Sequence, residues 1–110
     1  MMYFANNDGL ITFDGRYWNL YPLPNNTILR SLYIDENDRI YAGGQGEFGY
    51  FEGGTDTQLH YTSLCDLIPQ RYQKFADVWH TAALGASVFF RTTDRIFELT
   101  RGRITVHTTA

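Results

Sequence analysis

Three stretches of this chain are variations on one hairpin. YFANNDGLITF at Tyr3–Phe13, YAGGQGEFGYF at Tyr41–Phe51 and FFRTTDRIFEL at Phe89–Leu99 each run from an aromatic residue through a short strand pattern and a polar turn into a second aromatic strand. Their starts lie 38 and 48 residues apart, and the excess falls in Ser63–Lys74, where Pro69 and several polar residues predict a loop or helical turn. A recurrence near forty residues with four strands per unit is the mark of sheets repeated radially about an axis. Solenoids of similar period are built mainly from helices, and helical periodicity is almost absent here.

The rest of the chain reads as strands of the same kind. Runs rich in Tyr, Phe, Ile, Val and Thr predict eleven of them: Met2–Ala5, Leu10–Phe13, Tyr17–Tyr21, Ile28–Ile34, Ile40–Gly43, Phe48–Glu52, Gln58–Thr62, Phe75–Ala83, Val88–Arg91, Ile96–Leu99 and Ile104–His107. Asn7-Asp8-Gly9, Asp14-Gly15-Arg16, Glu36-Asn37-Asp38 and Arg101-Gly102-Arg103 supply residues that tolerate positive φ or pre-form turns, so consecutive strands should pair antiparallel as a meander. The expected fold is all-β: a fragment of a β-propeller with nearly three four-stranded antiparallel blades, at about 1–23, 24–62 and 75–110, and an insertion loop at 63–74. The first blade lacks its innermost strand. Fewer than three blades cannot close a ring, so unsatisfied strand edges and blade faces should meet neighbouring blades or drive self-association.

Two of these segments carry a resemblance to a known family. ILRSLYIDENDRIYAGGQGEFGYF, Ile28–Phe51, resembles the two-component regulator propeller repeat: an apolar strand, an acidic turn, an aromatic strand, a Gly-rich turn, then Gly-aromatic. FADVWHTAALGASVFFRTTDRIFEL, Phe75–Leu99, is similar, but has Arg95 in place of the expected glycine and Ala82–Ala86 where the acidic turn should be. Met2–Asp14 matches the second half of the repeat. The Gly44–Gly49 stretch and the phrasing of the last repeat are similar to sensor domains of large Bacteroidetes signalling regulators. The resemblance implies a periplasmic sensor propeller that precedes a triple-tyrosine-motif domain, a membrane span and a histidine kinase or DNA-binding output module.

Composition narrows the function classes. Nine basic against twelve acidic side chains give a net charge of -3, which offers no broad electrostatic footprint for nucleic acid. The longest uncharged, apolar-leaning run, His80–Phe90, is far short of the roughly 20 residues that span a bilayer, so this segment should make no membrane contact. No basic region followed by an apolar stretch opens the chain, which leaves a cytosolic protein or a trimmed export signal. The single cysteine, Cys65, excludes an internal disulfide and a cysteine-based zinc cluster. His60, His80 and His107 share no metal-ligand spacing, and Asp35–Asp38 lacks the alternating ligands, central glycine and distal glutamate of a calcium loop, so it reads as a hairpin turn. No metal or other cofactor is expected.

Nor is an enzyme. No Ser or Cys sits in a nucleophile-elbow context, and Gly43–Gly49 lies between strands rather than opening a helix, without the Lys-Ser/Thr that meets a phosphate. That segment reads instead as a bulged turn whose glycines allow positive φ and close packing. Asn25-Asn26-Thr27 fits the N-glycosylation pattern, which matters only in a eukaryotic secretory setting. Most of the 18 aromatics should fill the space between sheets.

Loops joining the second and third strands of each blade share one face of the disc with the blade-to-blade connections, and such loops commonly carry binding. Asn6, Asn7, Asp8, Gln45, Glu47, Asp94 and Arg95 fall on that face. Their amides, carboxylates and guanidinium suit a polyol or an oligosaccharide, so these seven are the candidate ligand-binding residues. Read with the resemblance, they describe a non-catalytic sensor segment for an oligosaccharide or another small polar ligand. The alternative is a protein–protein interaction or dimerisation platform with no small-molecule ligand.

Overall fold

The computed structural model describes residues 1–54 and 58–108, so residues 55–57 of the expected second blade and the last two of the third lie outside it. Its described residues form eleven strands in three antiparallel meanders: β1 (Met2–Asn6), β2 (Gly9–Phe13) and β3 (Trp18–Tyr21); β4 (Leu29–Ile34), β5 (Ile40–Gly44), β6 (Phe48–Gly53) and β7 (Leu59–Ser63); β8 (His80–Leu84), β9 (Ser87–Arg91), β10 (Arg95–Thr100) and β11 (Arg103–Thr108). The chain is thus all-β, with sheets of three, four and four strands in sequence order. Short 3-10 turns at Pro24–Asn26, Cys65–Leu67 and Gln70–Tyr72 lie in the connections between sheets. No described helix is long and apolar enough to cross a membrane.

Local chemistry sets the hairpins. In the turn before β3, the Asp14 carboxylate accepts the N–H groups of Arg16 at 2.9 Å and Tyr17 at 2.7 Å, and these bonds hold its pKa below the usual carboxylate range. The Asp35 carboxylate accepts the N–H groups of Asn37 and Arg39, both at 2.9 Å, which is the physical content of the acidic turn between β4 and β5. Position 9 has to be glycine: its φ is +131°, and a Cβ there would fall on the carbonyl of Tyr21.

Strand alternation then separates two cores. β5 sends Ile40 and Ala42 to one side and Tyr41 to the other; β6 divides Phe51 from Phe48 and Tyr50 in the same way. Leu10, Leu23, Leu29, Ile40, Ala42 and Phe51 bury themselves between the first and second sheets. Tyr41, Phe48, Val78, Val88, Phe90 and Phe97 do so between the second and third, with Phe48 stacked 5.2 Å from Phe97 and tilted against Phe90 at 4.4 Å. The middle sheet is therefore covered on both faces, and each outer sheet on one. The first strands of the three sheets run side by side, β1 against β4 and β4 against β8.

The expected strand Phe75–Ala83 is shorter in the structure, where only His80–Leu84 is strand. The reason lies in what precedes it. Phe75 turns inward among the rings of Phe48 and Phe97, at 5.6 and 5.1 Å. Ala76–Val78 then bonds to the second sheet instead of the third: Gly46 N–H donates to the Ala76 carbonyl, Val78 N–H donates to the Gly44 carbonyl, and Gln45 bridges Asp77. Arg30 pairs with Asp77 at 3.1 Å, and the Ser31 hydroxyl lies 3.0 Å from the Val78 carbonyl and 2.7 Å from Thr81 Oγ1. Gly43 is the complement of this strap, because a Cβ there would collide with the Val78 side chain. Only at Trp79, whose N–H donates to the Arg91 carbonyl, does the chain join its own sheet.

Candidate ligand-binding site

The seven residues singled out by sequence sit on the turns β1–β2, β5–β6 and β9–β10, and the structure distributes them. Asn6 and Asp8 are tied to each other, Asp8 N–H donating to Asn6 Oδ1 at 3.0 Å, and they line a shallow cavity of about 380 Å³ with Ile11, Trp18 and Leu20 on the outward face of the first sheet. Asn7 is exposed in the same turn. Gln45 is exposed and engages the strap through its backbone. Asp94 Oδ1 accepts from the Thr92 hydroxyl at 3.3 Å, and the Arg95 guanidinium lies over the Tyr72 ring at 5.0 Å with its buried Nε unpartnered among the described residues.

Glu47 holds the fold together. Its carboxylate accepts the Tyr61 hydroxyl at 2.6 Å, the Ser63 hydroxyl at 2.7 Å and the Cys65 thiol at 3.6 Å. Burial first, and the Glu47 carboxylate second, push the Tyr61 phenol far above its ordinary pKa; burial likewise raises the Cys65 thiol. Tyr61 crosses directly over Gly49, where a Cβ would strike its ring and the Thr62 carbonyl. Glu47 thus secures the end of β7 to the β5–β6 turn, and its oxygens are already occupied.

A larger concavity opens at the opposite ends of the strands. Between the second and third sheets runs a trough of about 450 Å³, walled by Tyr41, Tyr50 and Thr62 on one side and by Val88 and Leu99 on the other. Leu64, buried in the intersheet core, also lines it. Toward the first strands it adjoins a second hollow of about 330 Å³, sharing Tyr41, Ala86 and Val88 and adding Tyr33, Asp35 and Glu36.

Two arginines flank the opening. Arg39 lies 4.2 Å from the centre of the Tyr50 ring and is held there by Glu52, which accepts from its Nη2 at 2.8 Å and its Nε at 3.2 Å. The Tyr41 hydroxyl first, and Glu52 after it, raise the Arg39 pKa further above its already basic range. Arg101 stands on the β10–β11 turn with φ +51°, and Asp66 lines the trough from the connection after β7. The arrangement offers an aromatic wall, a hydroxyl at Thr62, and charges of both signs at the rim. Such a site can stack on the face of a ring and hydrogen-bond its substituents, and its volume falls within the roughly 300–1,000 Å³ of small-molecule sites. None of the seven sequence-singled residues lines it.

Compared with known proteins, the sequence matches no family model, no curated protein and no solved structure.

Proposed function

We propose that this chain is a non-catalytic ligand-binding segment of a periplasmic sensor in a bacterial two-component-type regulator, that its three sheets are successive blades of a propeller, and that its ligand is an oligosaccharide or a similar small polar molecule. The observation that carries the ligand reading is the trough between the second and third sheets, where stacked Arg39 and Tyr50 face Arg101 across a cavity large enough for one or two sugar rings. The three consecutive meanders, with their first strands side by side, support the blade reading. The sensory role rests on the residues Ile28–Phe51 and Phe75–Leu99 that resemble the regulator propeller repeat. A ligand held between two sheets would favour one angle between them over another, and that difference in affinity is what a sensor passes on.

The test is a screen of neutral and acidic oligosaccharides by calorimetry, followed by substitution at both candidate sites. Tyr50→Ala and Arg101→Ala should each weaken a bound glycan at least tenfold, while Asn7→Ala and Asp8→Ala should leave it within twofold. The reverse pattern would move the site to the β1–β2 turn. No binder from the screen would defeat the glycan assignment.

A further inference from the structure

The outward face of the first sheet has the composition of an interior. Alternation sends Tyr3, Leu10, Thr12 and Tyr21 inward, which leaves Met2, Phe4, Ile11, Phe13, Trp18 and Leu20 outside. The register aligns these six in two cross-strand rows: Phe4–Ile11–Leu20 and Met2–Phe13–Trp18. Trp18 stacks on Phe13 at 4.3 Å and lies 6.1 Å from Phe4, so the rings form one surface instead of scattered exposures. Trp18 is 62% exposed, Met2 54%, Leu20 52% and Phe4 39%. Neither row contains a charge.

We propose that this face is the contact between two copies of the chain, related by a two-fold axis, with the first sheet of one packed on the first sheet of the other. Its open apolar area is about 500 Å² per copy, at the upper end of what monomeric proteins leave bare. Two such faces together bury on the order of 1,000 Å², the lower bound for a specific interface.

The partner surface follows from the other end of the molecule. The outward face of the third sheet carries Leu84, Phe89 and Ile96, but its centre is a hydrogen-bonded polar set: Glu98 accepts from Ser87 at 2.7 Å and Thr100 at 3.3 Å and lies 2.8 Å from His107 Nε2, while Arg91 reaches the His80 ring at 3.1 Å. Head-to-tail stacking of copies would press Phe4 and Trp18 onto this set and strip its carboxylate and guanidinium of water with no new partners, which is strongly unfavourable. Packing the first sheet on itself buries no ion and closes after two copies, as an isologous contact must. Two such faces would meet as the halves of a β-sandwich, aligned within about 30°. This pairing does not depend on the trough, which lies between the other two sheets, and it puts a second copy on the face that a neighbouring blade would cover in a closed propeller.

Sedimentation velocity from submicromolar to near-millimolar concentration, read beside tryptophan emission excited at the red edge in a Trp79→Phe background where Trp18 is the sole tryptophan, tests it. A monomer–dimer equilibrium is expected, with Trp18 emission moving to the blue as dimer accumulates. Trp18→Glu and Leu20→Glu, both at exposed positions, should each raise the dissociation constant at least 100-fold. Thr105→Glu, on the outward face of the third sheet, should change it less than twofold. A monomer throughout, species that grow beyond two copies, dissociation by Thr105→Glu, or Trp18 emission independent of concentration would overturn the proposal. Should both first-sheet variants misfold, the concentration dependence of Trp18 emission in the Trp79→Phe protein decides alone.

Discussion

The two outer sheets each leave one face open, and they finish it in opposite ways. On the first sheet the outward positions are Met, Phe, Ile, Phe, Trp and Leu, joined by ring stacking. On the third they include Ser87, Arg91, Glu98, Thr105 and His107, joined by hydrogen bonds around one carboxylate. Inward, the two sheets are alike: Leu10 and Thr12 on β2, and Val88 and Phe90 on β9, are all buried. A shared inward pattern with divergent outward patterns teaches that the inward face records how the sheets pack, while the outward face records what each meets next. One end is apolar throughout, and the other sets Leu84, Phe89 and Ile96 around a hydrogen-bonded carboxylate.

The largest expected effect sharpens this contrast within a single strand. Phe90 and Phe89 are neighbours on β9 that point to opposite faces, Phe90 fully buried and Phe89 part-exposed. Phe90→Ala should cost about 3–5 kcal/mol in urea unfolding, as large-to-small changes in a packed core do. Phe89→Ala should cost under about 1.5 kcal/mol, comparable to the loss of a partly exposed apolar contact. Equal costs would mean that the outward face of the third sheet is also packed in solution.

Glu98→Ala comes next. It leaves Ser87, Thr100 and His107 without their common acceptor, and the melting temperature should fall, by much less than for Phe90→Ala because the cluster is open to water. An unchanged melting temperature would mean that the network contributes nothing to stability. The smallest effect is its pH dependence. Hydrogen bonds from Ser87 first, then His107, hold the Glu98 carboxyl below its ordinary range in the folded chain. The unfolded chain therefore takes up this proton first as pH falls, so the contribution is complete above the usual glutamate range and fades as pH drops through the lowered value. Glu98→Gln should flatten that part of the acid-stability curve, and a glutamate resonance titrating at or above its ordinary value would contradict the assignment.

Much of the architecture was legible because it is written locally. Alternation along Leu10–Phe13, Ile40–Gly43 and Ile96–Leu99, together with Asp14, Asp35 and Gly102 at the turns, names strands and their antiparallel partners within windows of a dozen residues. Where the reading of a strand ran too long, at Phe75–Trp79, the cause was remote: an extended aromatic segment looks the same whether it bonds to its own sheet or to Gly44–Gly46 of the preceding one. The trough was illegible for a similar reason. Its wall combines Arg39, Tyr50, Thr62 and Arg101, which nothing in the sequence relates, and Tyr41 and Tyr50 read simply as core aromatics. Glu47 was visible as a polar turn residue, but the three donors that occupy it come from the end of β7 and the connection beyond. Attention to loop polarity pointed to the turns, whereas the trough formed between two sheets.

The strap at Ala76–Val78 also imposes an order on assembly. Each hairpin closes over a few residues and can form on its own, but Ser31 meets Val78 and Arg30 meets Asp77 across 47 positions of chain. The third sheet has no seat until Gly44–Gly46 is already shaped to receive the strap. Its docking is then the slow, late event of folding, since the entropy of closing the long loop is lost before the seal is made.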